Sequence, residues 1–151
     1  MSDIKLTLNT TESGIEYYDF TISSSGDFEL TETLSTALLM SVYCEKRDDS
    51  IEVVENRGGW MGNELNDEDY EIGSLLWTKY QSALDDELAE DLNDILSEGM
   101  DWLIDEKILS EVEVESFIDY DKNIVDSRIQ ITQNNNKEEV KFLDLLITGI
   151  L

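Results

Sequence analysis

Catalysis draws on a short list of side chains, and this chain lacks the most versatile of them: 36 of its 151 residues are acidic and none is histidine. Without imidazole there is no Ser-His-Asp or Cys-His nucleophilic system and no histidine metal site. Carboxylates remain. A glycosidase-type pair needs one carboxyl in an apolar pocket with a raised pKa and a second carboxyl close by. Glu55 and Glu64, on either side of a tryptophan-bearing loop, are the first candidates for such a pair. In so acidic a chain, however, a solvated loop accounts for both equally well. Asn63-Glu64-Leu65-Asn66-Asp67-Glu68-Asp69 is rich in oxygen ligands but lacks the spacing and central glycine of an EF-hand. Gly58, Gly59 and Gly62 cluster without the Lys-Ser/Thr that a phosphate-binding P-loop requires. The expectation is a protein with no cofactor, no metal and no catalytic set.

Recognition is better provided for. Arg57 and Trp60 lie within the run Arg57-Gly58-Gly59-Trp60-Met61-Gly62, and Trp77 follows at the start of an apolar segment. Arginine and tryptophan are the residues on which protein interfaces most often depend. Trp60 either pins its glycine-rich loop to the domain or anchors a partner. Trp77 and Trp102 sit among apolar helical positions and read as core. The single cysteine, Cys44, ends the run Ala37-Leu38-Leu39-Met40-Ser41-Val42-Tyr43. It excludes an internal disulfide, suits a reducing compartment and reads as a buried thiol.

The net charge of −26 narrows the partners. Affinity for phosphate backbones comes from Lys and Arg, so neither nucleic acid nor an anionic membrane surface is expected as a partner. A basic protein suits it. The residues Met1-Ser2-Asp3-Ile4 do not read as a signal peptide, and no apolar stretch approaches the roughly 20 residues that span a bilayer.

The elements that must position these residues follow from hydrophobic period. Ile4–Leu8 and Tyr18–Ile22 alternate as strands, and Ser23–Asp27 breaks the chain. A helix is expected from about Thr31, capped by Thr31 with Glu32 in its first turn, burying Leu34, Leu38 and Val42. Glu45–Asp49 should end it in solvent. Residues 51–72 read as a long shaped loop, since an irregular segment of that length in a compact domain is usually functional or disordered. Gly73-Ser74 then opens a short helix through Leu75, Leu76, Trp77 and Tyr80. A long helix over about Asp85–Asp105 carries Leu88, Leu92, Ile95, Leu96, Gly99 and Leu103 on one face and acids on the other. Period two returns at Val112 and Val114, and again over about Asp126–Thr132. Asn134-Asn135-Asn136 makes a turn into a third strand through Val140 and Phe142. The pattern predicts one domain over residues 1–151, α+β, with helices packed on an antiparallel sheet.

The middle of the chain resembles the Mu-type phage baseplate wedge family, small proteins related to wedge subunits once described as acidic lysozymes. That family carries Asp-Arg-Arg-Gly-Trp-Trp-Gly-Asp and then Gly-Ser-Arg-Leu-Trp about ten residues later. Here the first motif reads Asn56-Arg57-Gly58-Gly59-Trp60-Met61-Gly62-Asn63 and the second Gly73-Ser74-Leu75-Leu76-Trp77. The resemblance covers roughly residues 28–146 and leaves residues 1–26 outside it. Gly58 stands where the family has its second arginine, Met61 its second tryptophan, and Asn56 and Asn63 its aspartates. Any ion pair among those groups must here be lost or rebuilt. The resemblance implies a baseplate-wedge-like fold and a structural, non-enzymatic subunit of a contractile tail. Its location would be the baseplate of the virion, after assembly in the host bacterial cytoplasm as part of an oligomer. Its partners would be other wedge, hub or sheath proteins, with Arg57, Gly59, Trp60, Gly62 and Trp77 as the contact residues. Two other readings remain: a peptidoglycan-degrading, lysozyme-like enzyme, and an acidic mimic of nucleic acid.

Overall fold

The alternation that begins at Ile4 has a simple structural outcome, because side chains on an extended chain point to opposite faces in turn. In the computed structural model, which describes residues 3–31, 34–67, 69–133 and 136–141, four short strands form at the start of the chain. These are β1 (Asp3–Ile4), β2 (Leu6–Thr10), β3 (Glu16–Phe20) and β4 (Leu30–Thr31). β2 pairs antiparallel with β3, with Leu6 opposite Phe20 and Leu8 opposite Tyr18. β1 pairs antiparallel with β4, and an Ile22–Phe28 bridge joins the chain on either side of the Ser23–Asp27 turn. The Thr31 expectation is corrected here. Thr31 lies opposite Asp3 in the ladder rather than capping a helix, because the alternation of Phe28, Glu29 and Leu30 carries the extended chain past it. Glu32 falls outside the described residues. Helix α1 begins at Ser35 and runs to Tyr43, burying Leu38 and Val42 as their four-residue spacing predicts.

By backbone contacts the chain divides into two compact units, residues 1–40 and 41–151. The second unit centres on helix α3 (Asp86–Asp105) and a three-stranded antiparallel sheet of β5 (Glu111–Asp119), β6 (Ile124–Gln133) and β7 (Asn136–Lys141), in that order. Between α1 and α3 lie two 3₁₀ turns, Val54–Asn56 and Leu76–Lys79, and the single helical turn α2 (Met61–Glu64). The class is α+β, as the sequence predicts. Asn134, Asn135 and Phe142 lie outside the described residues. No described helix is long and apolar enough to cross a membrane.

Helix α3 is specified from end to end. The Asp85 carboxylate accepts from the Leu88 amide at 2.9 Å and so satisfies one of the free N–H groups of the first turn. Asp86 and Glu87 add negative charge at the positive end of the dipole. Leu88, Leu92, Leu96, Met100 and Leu103 are buried, while Glu87, Glu90, Asp94 and Glu98 are exposed. At the other end Lys107 turns left-handed, φ +57°, and the amide of Ile108 donates to the Leu103 carbonyl at 2.9 Å.

The buried stripe of α3 lies along β5. Val112, Val114, Ser116 and Ile118 stand opposite Ile131, Ile129, Ser127 and Val125, so one face of the β5–β6 pair is nearly all apolar. Asn93 of α3 accepts the Ser116 amide at 2.7 Å, which ties the outer strand to the helix by its otherwise open edge. On the opposite face Arg128 lies 4.8 Å from the centre of the Phe117 ring.

Candidate partner-binding loop

Four glycines and two tryptophans lie in the segment between α1 and α3, with Trp102 of α3 against it, and their geometry explains why those types recur there. Gly73, at φ +120°, brings the chain against the end of α1: a Cβ there would lie 2.5 Å from the Cys44 carbonyl oxygen. That approach allows Ser74 N–H to donate to Cys44 O at 2.9 Å and Lys46 N–H to donate to Ser74 O at 3.0 Å. The buried Ser74 hydroxyl donates to Val42 O at 2.6 Å and accepts from Leu76 N–H at 3.2 Å. Gly99 on α3 permits the same closeness from the other side, where a Cβ would meet Ser41 O at 2.8 Å. The Gly73-Ser74 pair, expected to cap a helix from Leu75 to Tyr80, instead precedes a single 3₁₀ turn, Leu76–Lys79, whose N-cap position is Leu75, and ties that turn to the end of α1.

Trp77 packs on Gly58. A Cβ at Gly58 would stand 2.7 Å from the indole ring, and Gly58 also has φ +67°. The Trp77 Nε1–H donates to Lys46 O at 2.9 Å. Trp60 folds back over Gly62, whose added Cβ would lie 2.3 Å from its ring. Trp102 donates to Ser41 Oγ at 2.8 Å and stacks on Tyr70 at 5.0 Å. The expectation that Trp77 and Trp102 are core is corrected in degree. Both are half-buried, each with its N–H held by a protein acceptor.

Arg57 forms the clasp of the loop. Its Nε donates to Ile51 O at 2.7 Å and its Nη1 to Asp49 Oδ1 at 3.0 Å. Arg47 Nε donates to the same oxygen at 2.9 Å. The Arg47 hydrogen bond, with the field of both guanidinium groups, holds the Asp49 carboxyl below the usual carboxylate range. The ion pair that the resemblance left lost or rebuilt is thus rebuilt, from an aspartate eight residues upstream. Further along, Asn63 accepts from Ile72 N–H and donates to Ile72 O, both at 2.9 Å, and Asn66 donates to Tyr70 O at 2.9 Å. The asparagines of the oxygen-rich run are used as straps.

Arg57 and the Gly58–Trp77 contact brace one part of the loop, Trp60 over Gly62 braces the next, and Gly59, φ +120°, is the exposed bend between them, beside Arg47. Glu55 and Glu64 are exposed on its surface, so neither occupies the apolar pocket that an acid–base pair requires. Sequence reasoning missed Asp49, and it read Asn63 as a motif position and an oxygen donor rather than as a strap to Ile72. Asp49 belongs to a charged run that reads as solvent-facing, and only its meeting with two arginines distinguishes it. Val53, Val54, Met61 and Leu65 are also exposed here, at 52%, 57%, 72% and 78%. Beside Trp77 an open cleft of about 500 Å³ is lined by Asp48, Ile51, Trp77, Thr78, Tyr80 and Gln81.

Comparison with known proteins agrees with the sequence resemblance at the level of phage origin. A protein with 27% identity over 114 residues is described as Mu-like prophage FluMu protein gp46 of Haemophilus influenzae; the match covers 76% of this chain and 75% of that protein. The family model described as phage protein GP46 matches residues 34–138, from the residue before α1 into β7 and across the whole braced loop. The chain belongs to the phage protein GP46 family.

Proposed function

We propose that the protein is a non-enzymatic structural subunit of a Mu-type contractile tail, a wedge component of the baseplate that works by binding other wedge, hub or sheath proteins. The observation that carries this reading is the combination of stiffness and exposure in the loop. Arg57, Asn63, Trp60 and Trp77 tie the backbone down, while Met61, Leu65, Val53 and Val54 stand in solvent. Ordering a loop before it binds lowers the entropy cost of association, so a braced loop with exposed apolar side chains suits an assembly contact. The acidic surface would steer it toward basic neighbours. Membership of a phage protein family with a Mu-like prophage relative supports the tail setting, and the exposure of Glu55 and Glu64 is unlike the apolar surroundings that the lysozyme-like alternative requires of one carboxyl.

The test mixes the purified chain with its neighbouring tail proteins and follows complex formation by light scattering. Arg57→Ala, Trp60→Ala and Met61→Ser/Leu65→Ser are compared with wild type, with peptidoglycan in parallel samples. Complexes formed by wild type and weakened about tenfold or more in the loop variants are expected. No complex with any tail protein, together with peptidoglycan clearing abolished by Glu55→Gln or Glu64→Gln, would replace the structural reading with the enzymatic one.

A further inference from the structure

The strand pairing of the first unit sorts its side chains by parity, and the sorting is nearly complete. Directly paired residues share a face, as do residues two apart on one strand. Leu6–Phe20, Leu8–Tyr18, Ile22–Phe28 and Ile4–Leu30 are all pairs, and the steps of two between them put all eight on one face. Phe20 and Phe28 meet edge to face with ring centres 5.4 Å apart. The other face carries Lys5, Thr7, Asn9, Asp19, Thr21 and Glu29, together with the aromatic ring of Tyr17 opposite Asn9. It is knitted by a Thr7–Thr21 hydroxyl hydrogen bond of 2.6 Å and a Lys5–Glu29 ion pair of 3.2 Å. A sheet with one apolar face ordinarily buries it. This one leaves it open: Phe20 is 52% exposed, Ile22 56%, Phe28 49% and Leu30 60%.

We propose that this face is a docking surface for a protein whose matching patch is apolar at its centre and rimmed with lysine and arginine. Charge selects that occupant. Lys5 is the only basic residue in positions 3–31, and it is already engaged by Glu29 on the opposite face. The turns at Thr11–Ile15 and Ser23–Asp27 expose Glu12 and Asp27, so the strands that carry the apolar face lie in acidic surroundings. A second copy would bring a matching apolar face but also another net charge of −26, opposing close approach. A basic-rimmed partner gains from both features. The surface lies outside the residues matched by the family model, so it is an addition to the braced loop and not a restatement of it. The partner's place among the tail proteins rests on the function proposed above.

The experiment measures binding of the full chain to each purified neighbouring tail protein by calorimetry. Phe20→Ser/Ile22→Ser is compared with Tyr17→Ser, which removes an aromatic ring from the polar face. Circular dichroism confirms the fold of each variant, and Nile red fluorescence reports the open apolar face of the lone chain. The expected result is Nile red binding by wild type that a basic tail protein displaces. The double variant should bind that protein at least about tenfold more weakly, and Tyr17→Ser should bind it unchanged. Raising the salt should weaken the wild-type complex. A complex that the double variant forms as well as wild type would overturn this surface while leaving the tail-subunit reading intact. Absence of any complex would overturn both. Sedimentation of the lone chain as a dimer, lost in the double variant, would assign the face to a second copy and overturn the proposal. So would a wild-type chain that fails to bind Nile red and protects the amides of residues 18–22 from exchange, since the chain would then cover its own face.

Discussion

Asp49 shows how much of the loop depends on one exposed carboxylate. Arg47 and Arg57 both donate to its Oδ1, so the loop end and the segment after α1 converge on a single atom. The Arg47 hydrogen bond is the main cause of its lowered pKa, followed by the field of the two arginines. A carboxyl whose pKa is lower folded than unfolded supports the fold above the ordinary carboxylate range. That support is lost as the pH falls through the lowered value. Carboxyl-carbon NMR titration should therefore place Asp49 below exposed aspartates that have no basic neighbour, and Arg47→Ala should raise it toward them. Amide exchange in residues 48–57 should quicken on the acid side of that titration. An Asp49 that titrates like its exposed neighbours would mean that the clasp does not form in solution.

At the scale of elements, close approach of α3 to the end of α1 at Ser41, and to the Gly73-Ser74 turn beside it, sets what the helix will tolerate. Gly99→Ala places a methyl group 2.8 Å from a backbone oxygen that cannot swing away, so it should destabilise the protein by about 1–3 kcal/mol in urea unfolding. A neutral Gly99→Ala would show that α3 can shift outward without cost. This helix was also the element most legible in the sequence. Its cap, its acidic first turn and its stripe of leucines all agree, and agreement between levels is what makes a local reading safe. The same holds for the alternating Val112 and Val114, opposite Ile131 and Ile129. The two-residue strand at Leu30–Thr31 was not legible, because its pairing with β1 joins residues nearly thirty positions apart and the alternation of Phe28, Glu29 and Leu30 is too short to outweigh the capping signal at Thr31. The glycine and tryptophan positions of the loop could be read from their motif. The straps could not, since an asparagine hydrogen-bonded to a backbone nine residues away looks, in one dimension, like any polar loop residue.

Across the whole molecule, a net charge of −26 should make repulsion the leading electrostatic effect. Thirty-six acids against ten bases leave few close attractive pairs to offset it. Among the described residues, half-buried Lys79–Asp91 and exposed Lys137–Glu113 are two of the small number that form, and pairs open to solvent contribute little individually. Raising sodium chloride from about 20 to 500 mM shortens the screening length several-fold, so Tm should rise by a few degrees in scanning calorimetry. A falling Tm would mean that the ion pairs outweigh the repulsion. The parity of the first unit has a different kind of consequence, one that concerns heredity. Because its apolar and polar faces differ by a single step along the chain, losing one codon within β3 would turn the residues beyond the deletion onto the wrong face, whereas losing two would keep their orientation. Length variation among descendants of this gene should accordingly gather in the turns at Thr11–Ile15 and Ser23–Asp27, where a change in residue number leaves the faces of the strands intact.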